Sequence, residues 1–119
     1  MRILTSLAGV FALVLLLSAG TARAQGFLSV YDDLPLPSGL NEMTDSGLSF
    51  DTPGGRIVEA YARGPVAAAT VIRFYATTLP QLGWAAIGPS QFKRDNETLR
   101  LEIQTEGRDV VVHFVFAPE

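Results

Sequence analysis

One hairpin near the carboxyl terminus decides the fold: residues 99–116 read LRLEIQTEGRDVVVHFVF. Apolar and polar residues alternate along residues 99–104, which is typical of a strand with one buried face and one solvated face. Gly107 marks a turn. Residues 110–116 are then apolar on both faces, apart from His113. Such a strand is expected in the interior of a sheet rather than at its edge.

Upstream of this hairpin the pattern predicts one helix and three further strands. Alanines and a stripe of larger residues at helical spacing favour a helix, which Pro80 should end. The predicted elements are a strand at 57–63, a helix at 66–78 with Pro65 in its first position, and short strands at 84–87 and 91–94. The fold class is therefore α+β: one helix packed on a mostly antiparallel sheet of about five strands, in the chain order β-α-β-β-β-β. The predicted sheet order is 2-3-4-5-1, with an extended amino-terminal arm outside it.

That arm comprises residues 25–55. Pro35 and Pro37 disfavour a helix, and turns are expected at 37–39 and 53–55. The arm carries too much apolar surface for a plain linker, so part of it should pack on the domain. We expect it behind the sheet, near Val111 and Val115. The alternative is that this back surface is a dimer or partner interface.

The first residues of the chain have the three parts of a secretory signal. A basic residue precedes an unbroken apolar run at residues 7–17, and small residues before Gln25 suit a signal peptidase. The expected organisation is a signal peptide at 1–24, the arm at 25–55 and an α+β domain at 56–119, in a periplasmic or secreted protein of the bacterial envelope. An uncleaved membrane anchor is the alternative. The chain has no cysteine, which excludes a lipoprotein anchor and disulfides.

The net negative charge of the chain limits the classes of partner that it is expected to bind. The chain has 9 Lys and Arg against 12 Asp and Glu, and removing Arg2 and Arg23 leaves a mature charge of −5. Nucleic acid and, after signal cleavage, membrane surfaces are therefore not expected as partners. Residues 25–55 contain five acids and no base, so we expect Asp32 and Asp33 to bind a basic partner, unless the segment is simply a solvated arm.

Residues 74–84 read FYATTLPQLGW. Together with Phe92, Arg94 and the strand that begins at Leu99, this segment resembles small exported bacterial proteins of uncharacterised function. In those proteins the aromatic-Tyr, Leu and Gly-Trp positions mark a helix-to-strand corner. The resemblance implies a single-helix α+β domain and no particular activity.

Catalytic and metal-binding patterns are weak. A serine or threonine triad would need the one histidine, His113, which lies mid-strand on the face opposite the expected core and is predicted to have a structural or surface role. No segment has the ligand spacing of a metal site, and no cofactor is expected. Glu59 shares a strand face with apolar residues, so a structural ion pair with Arg63 or Arg73 is expected.

Two functions compete. The leading hypothesis is a non-enzymatic periplasmic protein that binds another envelope protein or component, or forms a homodimer, through the acidic arm or an exposed sheet edge. The alternative is a carrier or sensor of a small apolar ligand held between helix and sheet, and an enzyme is a third class. The pocket of such a carrier would be lined by five aromatic residues, Tyr61, Phe74, Tyr75, Trp84 and Phe92.

Overall fold

The computed structural model describes residues 24–119. The predicted signal peptide therefore lies, apart from its last residue, outside the described residues. The elements are β1 (Ala24–Phe27), β2 (Pro35–Pro37), β3 (Asn41–Glu42), β4 (Leu48–Thr52), β5 (Gly55–Gly64), α1 (Ala68–Thr78), a 3-10 helix (Leu79–Leu82), β6 (Ala85–Gly88), β7 (Gln91–Arg94), β8 (Glu97–Glu106) and β9 (Asp109–Pro118).

The main sheet is antiparallel, with the strand order β3-β5-β9-β8-β7-β6 and with β4 also paired to β5. Its longest strands, β5, β8 and β9, lie side by side, and Phe114 of β9 has Ala60 on one side and Leu101 on the other. The interior position expected for the doubly apolar strand is confirmed. The predicted order of the five carboxyl-terminal strands, which are β6, β7, β8, β9 and β5, is confirmed as well.

The predicted strand count was too low, because the main sheet has seven strands. The two additional strands, β3 and β4, come from the segment expected to be an extended arm, and both lie along the outer side of β5. Leu48 and Phe50 alternate with polar residues in β4, and the predicted turn at Pro53 joins β4 to β5 as a hairpin. A second, two-stranded sheet is formed by β1 and β2.

Helix α1 begins at Ala68, with Ala67 as its N-cap residue, so the prediction that Pro65 occupies the first helical position is wrong. Its end agrees with the sequence: the chain passes into a 3-10 turn containing Pro80, and Gly83 takes a φ of 92° before Trp84. Within residues 24–119, no helix is both long enough and apolar enough to cross a bilayer.

The core lies on one face of the main sheet, under α1 and the segment from residue 28 to residue 40. Tyr75 on the helix packs edge-on against Phe114, and its hydroxyl donates a hydrogen bond of 2.8 Å to the carbonyl oxygen of Pro35. Burial of this phenol raises its pKa. The fully buried apolar residues from the amino-terminal segment are Leu28, Leu34, Leu36 and Leu40.

The expectation that this apolar segment lies behind the sheet is wrong. It covers the same face of the sheet as the helix. The ring of Tyr31 stacks on that of Phe116, a core residue of that face, with 3.8 Å between centroids. The opposite face near Val111 and Val115 remains partly exposed. Residues 28–40 therefore complete the core beside α1 instead of forming a third layer.

Candidate binding cleft

A polar concavity lies at one end of the core. We call it the Tyr31–Arg94 cleft. It has a volume of about 420 Å³ and is lined by Ser29, Val30, Tyr31, Asp32, Asp33, Arg56 and Arg94. A second cleft of about 310 Å³, lined by residues that include Glu97 and Asn96, adjoins it and shares Arg56 and Arg94.

The turn that forms one wall of the cleft is anchored at both ends. Leu28 and Leu34 are buried, and the backbone N–H of Leu28 donates to the carbonyl of Leu34. Glu42 accepts hydrogen bonds from the backbone N–H and the hydroxyl of Ser29, at 2.8 and 2.7 Å. The turn is therefore fixed in place although its tip is exposed.

Arg94 is the centre of the cleft. One terminal nitrogen donates to Asp33 and to the carbonyl oxygen of Leu82, both at 3.0 Å, and the other donates to the hydroxyl of Tyr31 at 2.8 Å. The guanidinium also lies 4.4 Å from the ring centroid of Trp84, within the range of a cation–π contact. Four contacts hold this side chain in one orientation.

Tyr31 links the turn to the sheet. Its hydroxyl accepts the hydrogen bond from Arg94 and donates one of 2.6 Å to Glu97 on β8. Burial, reinforced by the hydrogen bond to Glu97 and by its charge, raises the pKa of Tyr31 to about 12. The phenol is therefore neutral near pH 7 and acts in the cleft as a hydrogen-bonding group.

This shift predicts a loss of stability in alkali. A phenol whose pKa is raised by folding stabilises the protein fully below its unfolded pKa of about 10, and that contribution is lost as the pH rises towards about 12. Tyr31→Phe should cost about 1 kcal/mol at pH 8 through its lost hydrogen bonds. Between pH 9 and pH 11.5 it should nevertheless lose less stability than the native protein, as measured by urea unfolding. Equal losses in the two proteins would contradict the assigned shift.

Asp32 and Arg56 differ from their neighbours in the cleft. Both side chains are exposed, and neither has a hydrogen-bond or ion-pair partner among residues 24–119. Asp33 is already paired with Arg94, so of the two aspartates predicted to bind a partner, only Asp32 has an uncommitted carboxylate. The two aspartates lie in a tight turn and line the same cleft.

His113 lies outside this cleft, on the opposite face of the sheet, as predicted. Its Nε2 is 2.7 Å from Glu59 and its Nδ1 is 3.2 Å from Glu102, while Tyr61 stacks on the ring at 4.2 Å. Carboxylates contact both ring nitrogens, so a nucleophile would have to displace one of these carboxylates to reach the imidazole. Arg100 and His113 together hold the pKa of Glu102 below its usual value.

The predicted ion pair of Glu59 has a different partner. The carboxylate contacts His113, whereas Arg63 binds Asp109 at 2.8 Å and Glu106 at 3.3 Å on the β8–β9 hairpin. The reason is the strand register: Tyr61 is directly opposite His113, which places Glu59 one diagonal step from the imidazole. No group of three acidic or histidine side chains among the described residues is arranged to hold a metal ion.

The five aromatic residues proposed to line an apolar pocket do not surround a common space. Tyr75, Trp84 and Phe92 are buried in the core with at most 2% exposure, and Phe74 packs edge-on against Tyr75. Tyr61 lies on the other face of the sheet, beside His113. Tyr61 borders a small cleft of about 150 Å³ there. The other four residues line neither that cleft, nor the Tyr31–Arg94 cleft, nor the cleft that adjoins it.

Sequence reasoning missed Arg94 and Arg56 as parts of the Tyr31–Arg94 cleft, and Glu97 as part of the adjoining cleft. Tyr31 and Arg94 are 63 residues apart, and no periodic pattern connects them. Comparison of the chain with family models, curated proteins and solved structures found no match.

Proposed function

We propose that the protein works without catalysis, by binding another protein or component of the bacterial envelope in the Tyr31–Arg94 cleft. The observation that carries the proposal is the pair of uncommitted charges, Asp32 and Arg56, on the rim of a rigid polar cleft. Charged side chains left without internal partners can bind a ligand without first breaking a contact of their own.

The rigidity of the cleft supports this proposal. Arg94 is held by Asp33, Leu82 and Tyr31 and lies against Trp84, so its orientation is set before any ligand arrives. A preorganised site loses less side-chain entropy on binding than a flexible one. The residues held by internal contacts would give the cleft its shape. The unpaired side chains of Asp32 and Arg56 would recognise the charged groups of the partner.

The cleft is lined by two arginines and two aspartates, so its own charge is balanced. A partner that fits it presents a cationic group to Asp32 and an anionic group to Arg56. The partner surface is therefore not expected to be purely basic. Asp33 is already paired with Arg94, so only Asp32 would attract a basic group. The signal-like amino terminus supports the envelope as the compartment.

The alternative, a carrier of a small apolar ligand, is less well supported. The space between α1 and the sheet is filled by side chains such as Val71, Tyr75, Leu79 and Phe114, none of which is exposed. A ligand there would have to displace core residues. An enzyme is less well supported again, because the histidine has both ring nitrogens engaged and lies on the opposite face from the cleft.

Charge reversal at the rim should weaken binding without unfolding the domain. In cells that produce the protein, Asp32→Lys should lower the yield of adducts formed by a short chemical cross-linker by about tenfold, because complementary charge steers association. Raising the salt concentration should have the same effect. The melting temperature should stay unchanged, since Asp32 is exposed and unpaired within the described chain.

The matched control neutralises one aspartate at a time. Asp45 is also exposed and lies outside the cleft, so Asp45→Asn should leave the adduct yield intact whereas Asp32→Asn lowers it. His113→Ala should preserve the yield too. If Asp45→Asn and Asp32→Asn behave alike, the cleft is not the binding site.

A further inference from the structure

The outer edge of β4 is open. This strand pairs on one side with β5, and no strand of residues 24–119 pairs with its other side. Four of its five residues are exposed, including Leu48 at 53% and Phe50 at 43%. Both apolar side chains project from the sheet face that lacks the helix, because they pair with Glu59 and Ile57.

The other edge strands of the main sheet are better protected against pairing with another chain. At the opposite edge, the β6–β7 pairing is interrupted by a register shift between Ala86 and Gly88, and Pro89 follows directly. β3 is only two residues long. β4 has fewer of the features that block edge-to-edge pairing: its five pairs with β5 run without a shift, it contains neither proline nor lysine, and Asp51 is its one charged residue.

The register of the β4–β5 hairpin fixes which backbone groups face outward. Thr52 pairs with Gly55 across a two-residue turn, and the residues that flank such a turn form a hydrogen-bonded pair. Because hydrogen-bonded and non-hydrogen-bonded pairs alternate, Phe50 bonds to β5, and Ser49 and Asp51 present their N–H and C=O groups to the open side.

We propose that β4 is a dimerisation edge, and that its occupant is β4 of a second copy of this chain, antiparallel and centred on Phe50. In this register Ser49 of each copy faces Asp51 of the other, so both outward-facing residues gain backbone hydrogen bonds. The two Phe50 side chains meet at the two-fold axis in a non-hydrogen-bonded pair, where side chains are closest.

Charge favours this register and a second copy as the occupant. Asp51 is the only charged residue of β4, and its neighbour across the hairpin is Arg56. Centring the pair on Phe50 places the hydroxyl of Ser49 opposite each Asp51 carboxylate, as a hydrogen-bond donor. Centring it on Asp51 would bring two carboxylates together, which is destabilising. The sequence of β4 is thus complementary to itself in the alignment centred on Phe50.

The dimer would have a consequence for the proposed function. A two-fold axis at Phe50 perpendicular to the sheet keeps both helix-bearing faces on the same side, so both Tyr31–Arg94 clefts would open in the same direction. Two clefts on one assembly can engage a repetitive or paired partner with higher avidity than either alone.

The chain has no cysteine, so single-cysteine variants of the purified protein test the register directly. In a non-hydrogen-bonded pair the two Cα atoms are about 4.5 Å apart, within the range of about 4.4–6.8 Å that a disulfide bridges. Phe50→Cys should therefore give a disulfide-linked dimer on mild oxidation. Leu48→Cys should not, because the two copies of residue 48 would lie about 13 Å apart along the strands.

Sedimentation equilibrium measures the association itself. Phe50→Lys should raise the dimer dissociation constant at least about tenfold by placing like charges at the axis. Ile87→Lys, an exposed apolar residue on β6, should leave it unchanged. Each mature copy carries a charge of −5, so higher salt should strengthen the dimer, whereas it should weaken capture by the cleft.

A monomeric native protein at all measurable concentrations, or a disulfide at position 48 and none at position 50, would overturn the proposal. So would equal effects of Phe50→Lys and Ile87→Lys. These outcomes would leave the proposed function standing, because its test depends on Asp32 and not on Phe50.

Discussion

Replacing Trp84 with alanine should lower the free energy of unfolding by about 3–5 kcal/mol. The indole is 2% exposed and lies between the helix-to-strand corner and the sheet, with ring-centroid distances of 6.4 Å to Tyr31 and 6.1 Å to Phe116. It is also the surface on which Arg94 rests. The substitution therefore leaves a cavity and removes one support of the cleft.

Domains of this size have a total stability of about 5–15 kcal/mol, so this loss would bring the variant close to unfolding at ordinary temperature. Urea unfolding measures it, and Trp84→Phe, which keeps an apolar ring, should lose less than the alanine variant. A loss below about 1 kcal/mol for Trp84→Ala would mean that the indole is not part of the core. Fluorescence of the native protein already at the position of exposed tryptophan would mean the same.

A single methyl group at Gly64 should be almost as damaging, with an expected loss of about 3 kcal/mol or more. A Cβ at this position would overlap the carbonyl oxygen of Gly39 and lie 2.8 Å from its carbonyl carbon and 3.1 Å from the Cα of Leu40. These are backbone atoms, so no side-chain rotation can relieve the contact. The end of β5 would have to separate from the segment that carries the buried Leu40.

The matched control for this prediction is Gly26→Ala, because a Cβ on Gly26 would meet no atom within 4 Å among residues 24–119 outside its chain neighbours. Thermal unfolding of the two variants should show a large decrease in melting temperature for Gly64→Ala and little change for Gly26→Ala. Similar melting temperatures for the two would contradict the close approach between residues 39 and 64.

The carboxyl-terminal part of the fold could be predicted because its information is local. The alternation in β8 and the double apolarity of β9 each require only a few adjacent residues, and together they determine the order of five strands. The hairpin formed by β4 and β5 also has a local signal in the sequence. The apolar residues Leu48 and Phe50 alternate with polar residues, and Pro53 follows them as a turn residue. The surrounding prolines and acids made the segment resemble an irregular arm.

The position of the amino-terminal segment could not be predicted from periodicity. It depends on the stacking of Tyr31 on Phe116 and on the hydrogen bond from Tyr75 to Pro35, which join residues distant in sequence. The cleft has the same origin: charge composition identified Asp32 and Asp33, but Arg94 and Glu97 approach Tyr31 only when the sheet has formed. The partner of Glu59 could not be predicted either, because the contact with His113 depends on the register between β5 and β9.

The most direct test of the proposed function is photocrosslinking from the edge of the cleft in living cells. A photoreactive amino acid at position 96 would project into the adjoining cleft, where Asn96 is exposed and its side chain makes no hydrogen bond within the described chain. Position 72 on the outer surface of α1 is the control, since Ile72 is 40% exposed and lines neither the Tyr31–Arg94 cleft nor the adjoining cleft. Binding in the cleft predicts a discrete adduct with a different envelope protein or component from position 96, none from position 72, and loss of the adduct on Asp32→Lys. Irradiation that yields no adduct from position 96, or the same adducts from both positions regardless of Asp32, would contradict it.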